Sequence, residues 1–244
     1  MADVFGRMVH AYYRNELVEQ PVYRRDDGDV SPAQCAWYFA DAEEWGAFDR
    51  EGIARSRGTV LDVGCGVGRV LLWLDERGHE TIGVDASPLA VAVARDRGTT
   101  TVLGDMKRLP VAADAVDTAL FVGTHVGAVG SRAGLRDLLD ELDRVLRPGG
   151  RIVADLYDPR RVERDELRSY LADRWRAPGV ATRRFRLEYD GDVGPWRTLL
   201  LCTPDALERI VDPAGWTCVS LHWGEGTRYY FVLERTTDTS GSGP

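Results

Sequence analysis

The chain has 244 residues, 44% of them hydrophobic, which suits one domain with appendages and an ample core. A net charge of −8 excludes the broad electrostatic attraction to phosphate backbones on which nucleic-acid binders rely. No apolar run approaches the roughly 20 residues of a membrane helix, and residues 1–9 lack the basic start and apolar stretch of a signal peptide, so no membrane partner and a cytoplasmic home are expected.

The four cysteines (Cys35, Cys65, Cys202, Cys218) form no CxxC pair, and the four histidines are far apart, so no metal site is expected. Lys107 is the only lysine; the arginine excess reads as codon bias rather than function.

Residues 1–57 read as an N-terminal helical lid. Ser31-Pro32 is an N-cap and N1 pair that predicts a helix over 33–53. Trp37, Phe39, Trp45 and Phe48 along it read as packing onto the main domain. Residues 58–156 form the core. Short β-branched runs predict strands over 59–63, 81–85, 100–104, 115–122 and 151–156, with helices over 70–77, 89–96 and 135–146 between them. Residues 157–203 read as an insertion capping the substrate, with a polar helix over 163–175 and a hairpin turning at Asp190-Gly191. Residues 204–236 complete the sheet with a short helix and two strands joined at 224–226. The Ser/Thr/Gly-rich residues 237–244 read as a flexible tail.

Alternating strands and helices predict an α/β fold with a parallel sheet covered on both faces. In such sheets ligands bind outside the carboxyl ends of the strands, here just after Val63, Val84, Leu103, Val122 and Leu156. The first of these places holds Gly64-Cys65-Gly66-Val67-Gly68, a glycine loop between strand and helix that lets a ligand approach the backbone. Three acids sit at neighbouring strand ends. Asp62 precedes the loop and would oppose a pyrophosphate but suits a ligand bearing an ammonium and a sulfonium. Asp85 ends the second strand, where an acid takes ribose hydroxyls. Asp105 ends the third and could accept from an adenine amino group. Any one of these acids alone is also a turn or cap former.

Val60 to Gly68 (VLDVGCGVG) resembles motif I of the class I S-adenosylmethionine-dependent methyltransferases. Ile82 to Pro88 is similar to their second motif, Gly104-Asp105-Met106 with Leu109-Pro110 to the third, 114–121 to the fourth, and 142–150 to the helix and turn before strand five. The resemblance implies a Rossmann-like seven-stranded, mostly parallel sheet whose last strand is antiparallel. It also implies S-adenosyl-L-methionine as cofactor. Asp62, Gly64 and Gly66 would hold its methionine part, Asp85 its ribose hydroxyls, Asp105 and Met106 its adenine, and Val122 or Gly123 would line the floor near the sulfonium; Cys65, Gly68, Ala86 and Ser87 count with them as cofactor-binding.

Methyl transfer is a direct displacement at an already activated carbon, so alignment and water exclusion matter most and a general base is optional. His125, just past the fourth strand, is the candidate base; the alternative is a histidine that only orients its loop. Tyr12 and Tyr13 are candidates to close over the cofactor, and Asp155, Tyr157 and Asp158 to contact the acceptor. The (N/D)PP(Y/F) pattern of adenine and glutamine methyltransferases and the paired-glutamate loop resembling arginine methyltransferases are both missing. Arg160, Arg161, Arg164 and Arg168 read as a solvated face rather than an RNA groove. A small-molecule acceptor is therefore expected. Two alternatives stand beside it: a nicotinamide-dependent oxidoreductase, disfavoured by Asp62, by the GxGxG spacing and by the absence of a Tyr-x-x-x-Lys pair, and a non-catalytic cofactor-binding partner subunit.

Overall fold

Two β-sheets organise the chain, and neither is built from one continuous stretch of sequence. The computed structural model describes residues 2–236, so the expectation of a flexible tail over 237–244 lies outside the described residues. In chain order the elements are α1 (Val4–Tyr13), β1 (Val22–Arg25), β2 (Val30–Pro32), α2 (Ala47–Ile53), β3 (Val60–Val63), α3 (Arg69–Asp75), β4 (Thr81–Asp85), α4 (Pro88–Asp96), β5 (Thr101–Leu103), β6 (Val116–Phe121), α5 (Arg132–Val145) and β7 (Leu146–Tyr157). Then follow α6 (Asp165–Ala172), β8 (Trp175–Ala177), β9 (Val180–Tyr189), β10 (Asp192–Val193), β11 (Arg197–Cys202), α7 (Pro204–Val211), β12 (Trp216–Trp223) and β13 (Arg228–Arg235).

The large sheet has seven strands in the order β12-β13-β7-β6-β3-β4-β5. β3 to β7 run parallel, and the final strand β13 inserts antiparallel between β12 and β7. Every residue of β3 is buried, as a strand covered on both faces must be. Leu138, Leu139 and Leu142 of α5 pack on one face; Trp45, Trp73 and Leu74 pack on the other. Truncating one such leucine to alanine removes about 2–5 kcal/mol. From β3 the chain moves first outward to β4 and β5, then back across to β6 and β7, so the strand order reverses between β3 and β6. That reversal opens a crevice at the carboxyl ends of these two strands.

The small sheet centres on β9, which pairs with β1, β8, β10 and β11, while β1 also pairs with β2. It unites residues 22–32 with residues 175–202. The expected helical lid is therefore only partly helical. Ser31 and Pro32 belong to β2 rather than capping a helix; residues 35–38 and 42–44 form single 3-10 turns, and a helix starts only at Ala47. Pairing to β1 outweighs the local cap signal. Asp27-Gly28 between two β-prone runs was the hairpin signal, with Gly28 at φ +96°. The polar helix is shorter than expected, Asp165–Ala172. At Asp190 and Gly191 both φ angles are positive (51° and 71°), the turn that joins twisted antiparallel strands.

Candidate functional site

The glycine loop leaves β3 at the crevice. Gly64 and Cys65 both donate to the Val84 carbonyl (2.7 and 3.2 Å), which folds the loop over the end of β4. Gly64, Gly66 and Gly68 have φ of +81°, +55° and +80°, a region side chains rarely adopt. A Cβ on Gly64 would sit 2.2 Å from His125, whereas one on Gly66 would meet only Phe5 Cζ, at an ordinary contact distance of 3.7 Å, so the side of Gly66 beneath Phe5 is not filled by the chain. The Cys65 side chain turns the other way, towards Gly83. Burial, followed by the charges of Asp62 and Asp85, pushes its thiol above the ordinary range, so it stays protonated.

Asp62 is 2% exposed. Burial pushes its carboxyl from the ordinary 3.8 up to about 7; Asp85 pushes the same way, and Arg69 opposes. No side chain or backbone group among the described residues donates to it. Arg69 lies beside it, stacked over Trp37 (4.1 Å) and Trp45 (4.9 Å), with its Nη1 buried and without a hydrogen-bond partner. Buried polar groups are nearly always satisfied, so an unpartnered acid and an orphaned guanidinium nitrogen side by side call for a ligand with both signs of charge.

Asp85 Oδ2 accepts from Gly66 N–H (2.9 Å) and Oδ1 from Ser87 N–H (2.8 Å). Each oxygen keeps one further lone pair for a ligand hydroxyl. Ser87 is buried and caps α4, accepting from Ala90 N–H at 3.0 Å, and its hydroxyl donates to Asp3 (2.8 Å). Asp3 also caps α1 through Gly6 N–H (2.9 Å). One carboxylate thus clamps the N-terminal helix onto the helix that follows Asp85. Ala86 is exposed between the two acceptors of that turn. Asp105 is exposed, accepting from Lys107 N–H at 3.0 Å, and Met106 is half-buried against the main core.

β6 runs into the crevice through Val122, and Gly123 and Thr124 both take positive φ (75° and 62°). A threonine there is strained by roughly 1 kcal/mol or more and must be held. Asp155 does this: its Oδ1 accepts the Thr124 N–H at 2.9 Å, and Arg228 donates to its Oδ2 at 2.9 Å while also pairing with Asp49 at 2.8 Å. The turn delivers His125 against Gly64, at the reversal between β3 and β6. Burial holds its imidazole below the ordinary range, helped by Arg197 and opposed by Asp85, so the neutral ring dominates at neutral pH.

Residues 61–154 match the methyltransferase domain family. Those residues hold the glycine loop and the acids at the strand ends, and over them the chain is similar to the class I S-adenosylmethionine-dependent methyltransferases. It is 29% identical over 155 residues to a 2-heptyl-1-hydroxyquinolin-4(1H)-one methyltransferase of Mycobacteroides abscessus, covering 55% of this chain and 66% of that one. It is 32% identical over 178 residues to the methyltransferase GfsG of Streptomyces halstedii, covering 64% and 60%. The aligned regions thus span about three fifths to two thirds of these curated relatives. A SAM-dependent methyltransferase from Bacteroides fragilis, solved with S-adenosyl-L-homocysteine, shares the fold over 96% of this chain and 95% of its own, with a TM-score of 0.83 and 22% identity.

The residues present suit the cofactor of this methyltransferase family. Its ammonium and carboxylate match the unpartnered Asp62 and the orphaned Arg69 Nη1, and its backbone-hugging path matches the open side of Gly66. Among the described residues, no cluster of metal-ligating side chains occurs and no helix is long and apolar enough to cross a membrane.

Other sequence candidates have different partners. Tyr12 and Tyr13 stack on Phe39, and Tyr13 donates to Asp96 at 2.6 Å. Asp155 is fully buried in the ion-paired support just described, and Asp158 is buried as the cap of the turn at Pro159–Arg161, so neither carboxylate is free for an acceptor. Arg160 pairs with Asp205, Arg168 with Asp165, and Arg161 stacks on Trp223. A cavity of about 680 Å³ lies between the start of α5 and the small sheet, away from the glycine loop. Sequence reasoning missed Asp3, Phe5, Tyr38 and Arg69. Asp3 was legible as a helix cap; the others carry no local signal.

Proposed function

We propose that the chain transfers the methyl group of S-adenosyl-L-methionine to a small-molecule acceptor. The observation that carries this reading is the buried, unpartnered Asp62 beside the orphaned Arg69, at the mouth of a glycine loop tied down by Asp85. In this reading Asp62 holds the ammonium and Arg69 the carboxylate, while the backbone of Gly64, Cys65, Gly66 and Gly68 lines the path. Asp85, with Ala86 and Ser87, receives the ribose hydroxyls, Asp105 and Met106 flank the adenine, and Val122 and Gly123 form the floor. When bound, the cofactor supplies a methyl activated by its sulfonium. The chain's own residues would then orient the acceptor's nucleophilic atom towards that methyl and take the one proton the acceptor releases.

Neutral His125 is suited to take that proton at Nε2, which lies on the Gly64 side. Phe5 and Tyr38, packed edge to face at 5.1 Å over Gly66, exclude water. A small acceptor fits a crevice roofed by the chain's own N-terminal segment, and one relative methylates a quinolinone. The large sheet's carboxyl edge also explains why an acid-lined loop disfavours a nicotinamide dinucleotide, whose pyrophosphate Asp62 would repel. Calorimetry with S-adenosyl-L-homocysteine and with NADH tests this: binding of the first and not the second is expected, and tight NADH binding alone refutes it. Labelled S-adenosyl-L-methionine with mass spectrometry of products then identifies the acceptor.

A further inference from the structure

The small sheet presents an arginine pair to the catalytic crevice. Strand register puts Tyr23 opposite Leu187, and Arg197 opposite Phe185, so Tyr23, Arg183, Phe185 and Arg197 share one face. Contacts lead from that face to the glycine loop. Phe185 meets Tyr23 edge to face (5.6 Å), the Tyr23 and Tyr38 hydroxyls are 2.8 Å apart, and Tyr38 packs on Phe5 above Gly66. From the other side, the turn at His125–Val129 packs against β11, which carries Arg197. Both guanidiniums favour ionisation of the Tyr23 hydroxyl, and Arg197 disfavours protonation of His125, so their positive charge is felt where the acceptor must sit.

This charge is uncompensated. Arg183 Nε is buried with no hydrogen-bond partner, its guanidinium 5.7 Å over the Phe185 ring. Neither Arg183 nor Arg197 has an ion pair among the described residues. Nearby, Arg24 and Arg186 pair with Glu188, Arg25 with Asp27 and Arg174 with Asp26, whereas Arg184 on the opposite face of β9 is, like Arg183 and Arg197, without an ion pair among the described residues. A guanidinium with a buried, unsatisfied nitrogen is costly unless an anion arrives, and its planar fork matches an oxyanion.

We propose that the methyl acceptor carries an oxyanion, a carboxylate or a phosphate, which Arg183 and Arg197 hold while the nucleophilic atom lies beside His125. The assignment rests on the methyltransferase reading above and narrows it to anionic small molecules.

The full chain, saturated with S-adenosyl-L-homocysteine at constant ionic strength, is titrated calorimetrically with benzoate, phenyl phosphate and neutral benzamide. Saturable binding of at least one anion, and none of benzamide, is expected; which anion binds distinguishes carboxylate from phosphate. Arg183→Gln and Arg197→Gln should each weaken it by about 10–100-fold and leave S-adenosyl-L-homocysteine affinity unchanged. Arg197 is exposed, so its replacement leaves the packing intact. Arg184→Gln removes the same charge from the opposite face of β9 and should change neither affinity. The proposal is overturned if no anion saturates, or if Arg184→Gln weakens the anion equally. It is also overturned if Arg197→Gln costs cofactor affinity, which would assign that guanidinium to the cofactor carboxylate. Failure of the wild-type chain to bind S-adenosyl-L-homocysteine would instead remove the methyltransferase reading, and the anion titration of the free chain would still report on the arginine pair.

Discussion

Asp62→Asn separates what the fold wants from what the site wants. The carboxylate is buried, unpaired and repelled by Asp85, and its pKa stands at about 7 instead of 3.8. At ~1.4 kcal/mol per tenfold, holding it ionised above pH 7 costs the free protein about 4 kcal/mol. An asparagine there avoids the charge but leaves an amide to satisfy, at about 1–3 kcal/mol. The net expectation is stabilisation of the ligand-free protein by about 1–3 kcal/mol at pH 8, a rise in Tm of about 2–12 °C for a chain of this size. The pH dependence has a definite sign. Folded Asp62 keeps its proton up to about 7, while the unfolded chain releases it near 3.8. The folded state therefore binds the extra proton in that window, and Asp62 makes wild-type stability fall as pH rises through it, levelling off above 7. The variant lacks that slope. With ligand the order reverses. Losing a charged partner for the ammonium should weaken S-adenosyl-L-homocysteine about 10–100-fold, and wild-type affinity should rise with pH up to about 7 as Asp62 ionises. Thermal melts from pH 4 to 8, with and without ligand, read all of this. An asparagine variant that melts lower at pH 8 and binds ligand as tightly as wild type would make Asp62 a structural residue and refute the reasoning.

Gly66→Val should abolish S-adenosyl-L-homocysteine binding by calorimetry, because φ is +55° and the Cβ would project into the open side of the loop; normal binding would reduce the loop to a turn. Asp155→Asn removes the fully buried charge that balances half-buried Arg228 and supports Thr124, so denaturant melts should lose about 3–5 kcal/mol, with a small loss implying that Asp49 alone compensates the arginine. His125→Ala should lower turnover roughly 10²–10⁴-fold at nearly constant cofactor affinity. It should also erase an acidic limb in kcat lying below the ordinary histidine range, because burial holds the imidazole neutral; unchanged turnover at every pH would leave His125 as a loop residue only.

The large sheet was legible in the sequence because its signals are local. Each parallel strand is a short buried run, and each acid at its end is one residue from a turn, so Asp62, Asp85 and Asp105 could be put at the strand ends without knowing the packing. The small sheet was not legible because its partners are remote. Residues 22–25 pair with 185–188, and no local pattern joins segments about 160 positions apart. At Ser31-Pro32 the local helix signal was sound chemistry that lost to a partner strand. Asp155 fails for the opposite reason. It ends a parallel strand as the three other acids do, yet Arg228, brought in by the antiparallel last strand, claims its carboxylate. Position at a strand end marks an acid as available, and only the neighbouring strand decides whether it is already taken.

That distinction also locates the reactive part of the molecule. Most buried charges here have partners, as in the Asp49–Arg228–Asp155 group, which fixes the backbone beneath His125. Among the groups without a hydrogen-bond partner are Asp62 and Arg69 Nη1 beside the glycine loop and Arg183 Nε on the small sheet, with Arg55 Nε, Ser56 Oγ, Trp73 Nε1 and Arg151 Nε elsewhere among the described residues. Cation–π contacts hold Arg69 and Arg183, yet their buried unsatisfied nitrogens, like the buried Asp62 carboxylate, still cost free energy in the ligand-free chain. Their signs are informative as well. An acid and a base lie together beside the glycine loop, where the proposed reading puts the cofactor's amino-acid moiety, whereas two bases without an ion-paired acid share one face of the small sheet. The first pair matches a ligand shared by a whole family and sits on the part of the chain that family shares. The second sits on strands outside residues 61–154, where sequence is free to vary with the acceptor. If both proposed assignments hold, cofactor affinity and acceptor choice are separable, and substitutions on the small sheet should change acceptor affinity and leave cofactor affinity as it is.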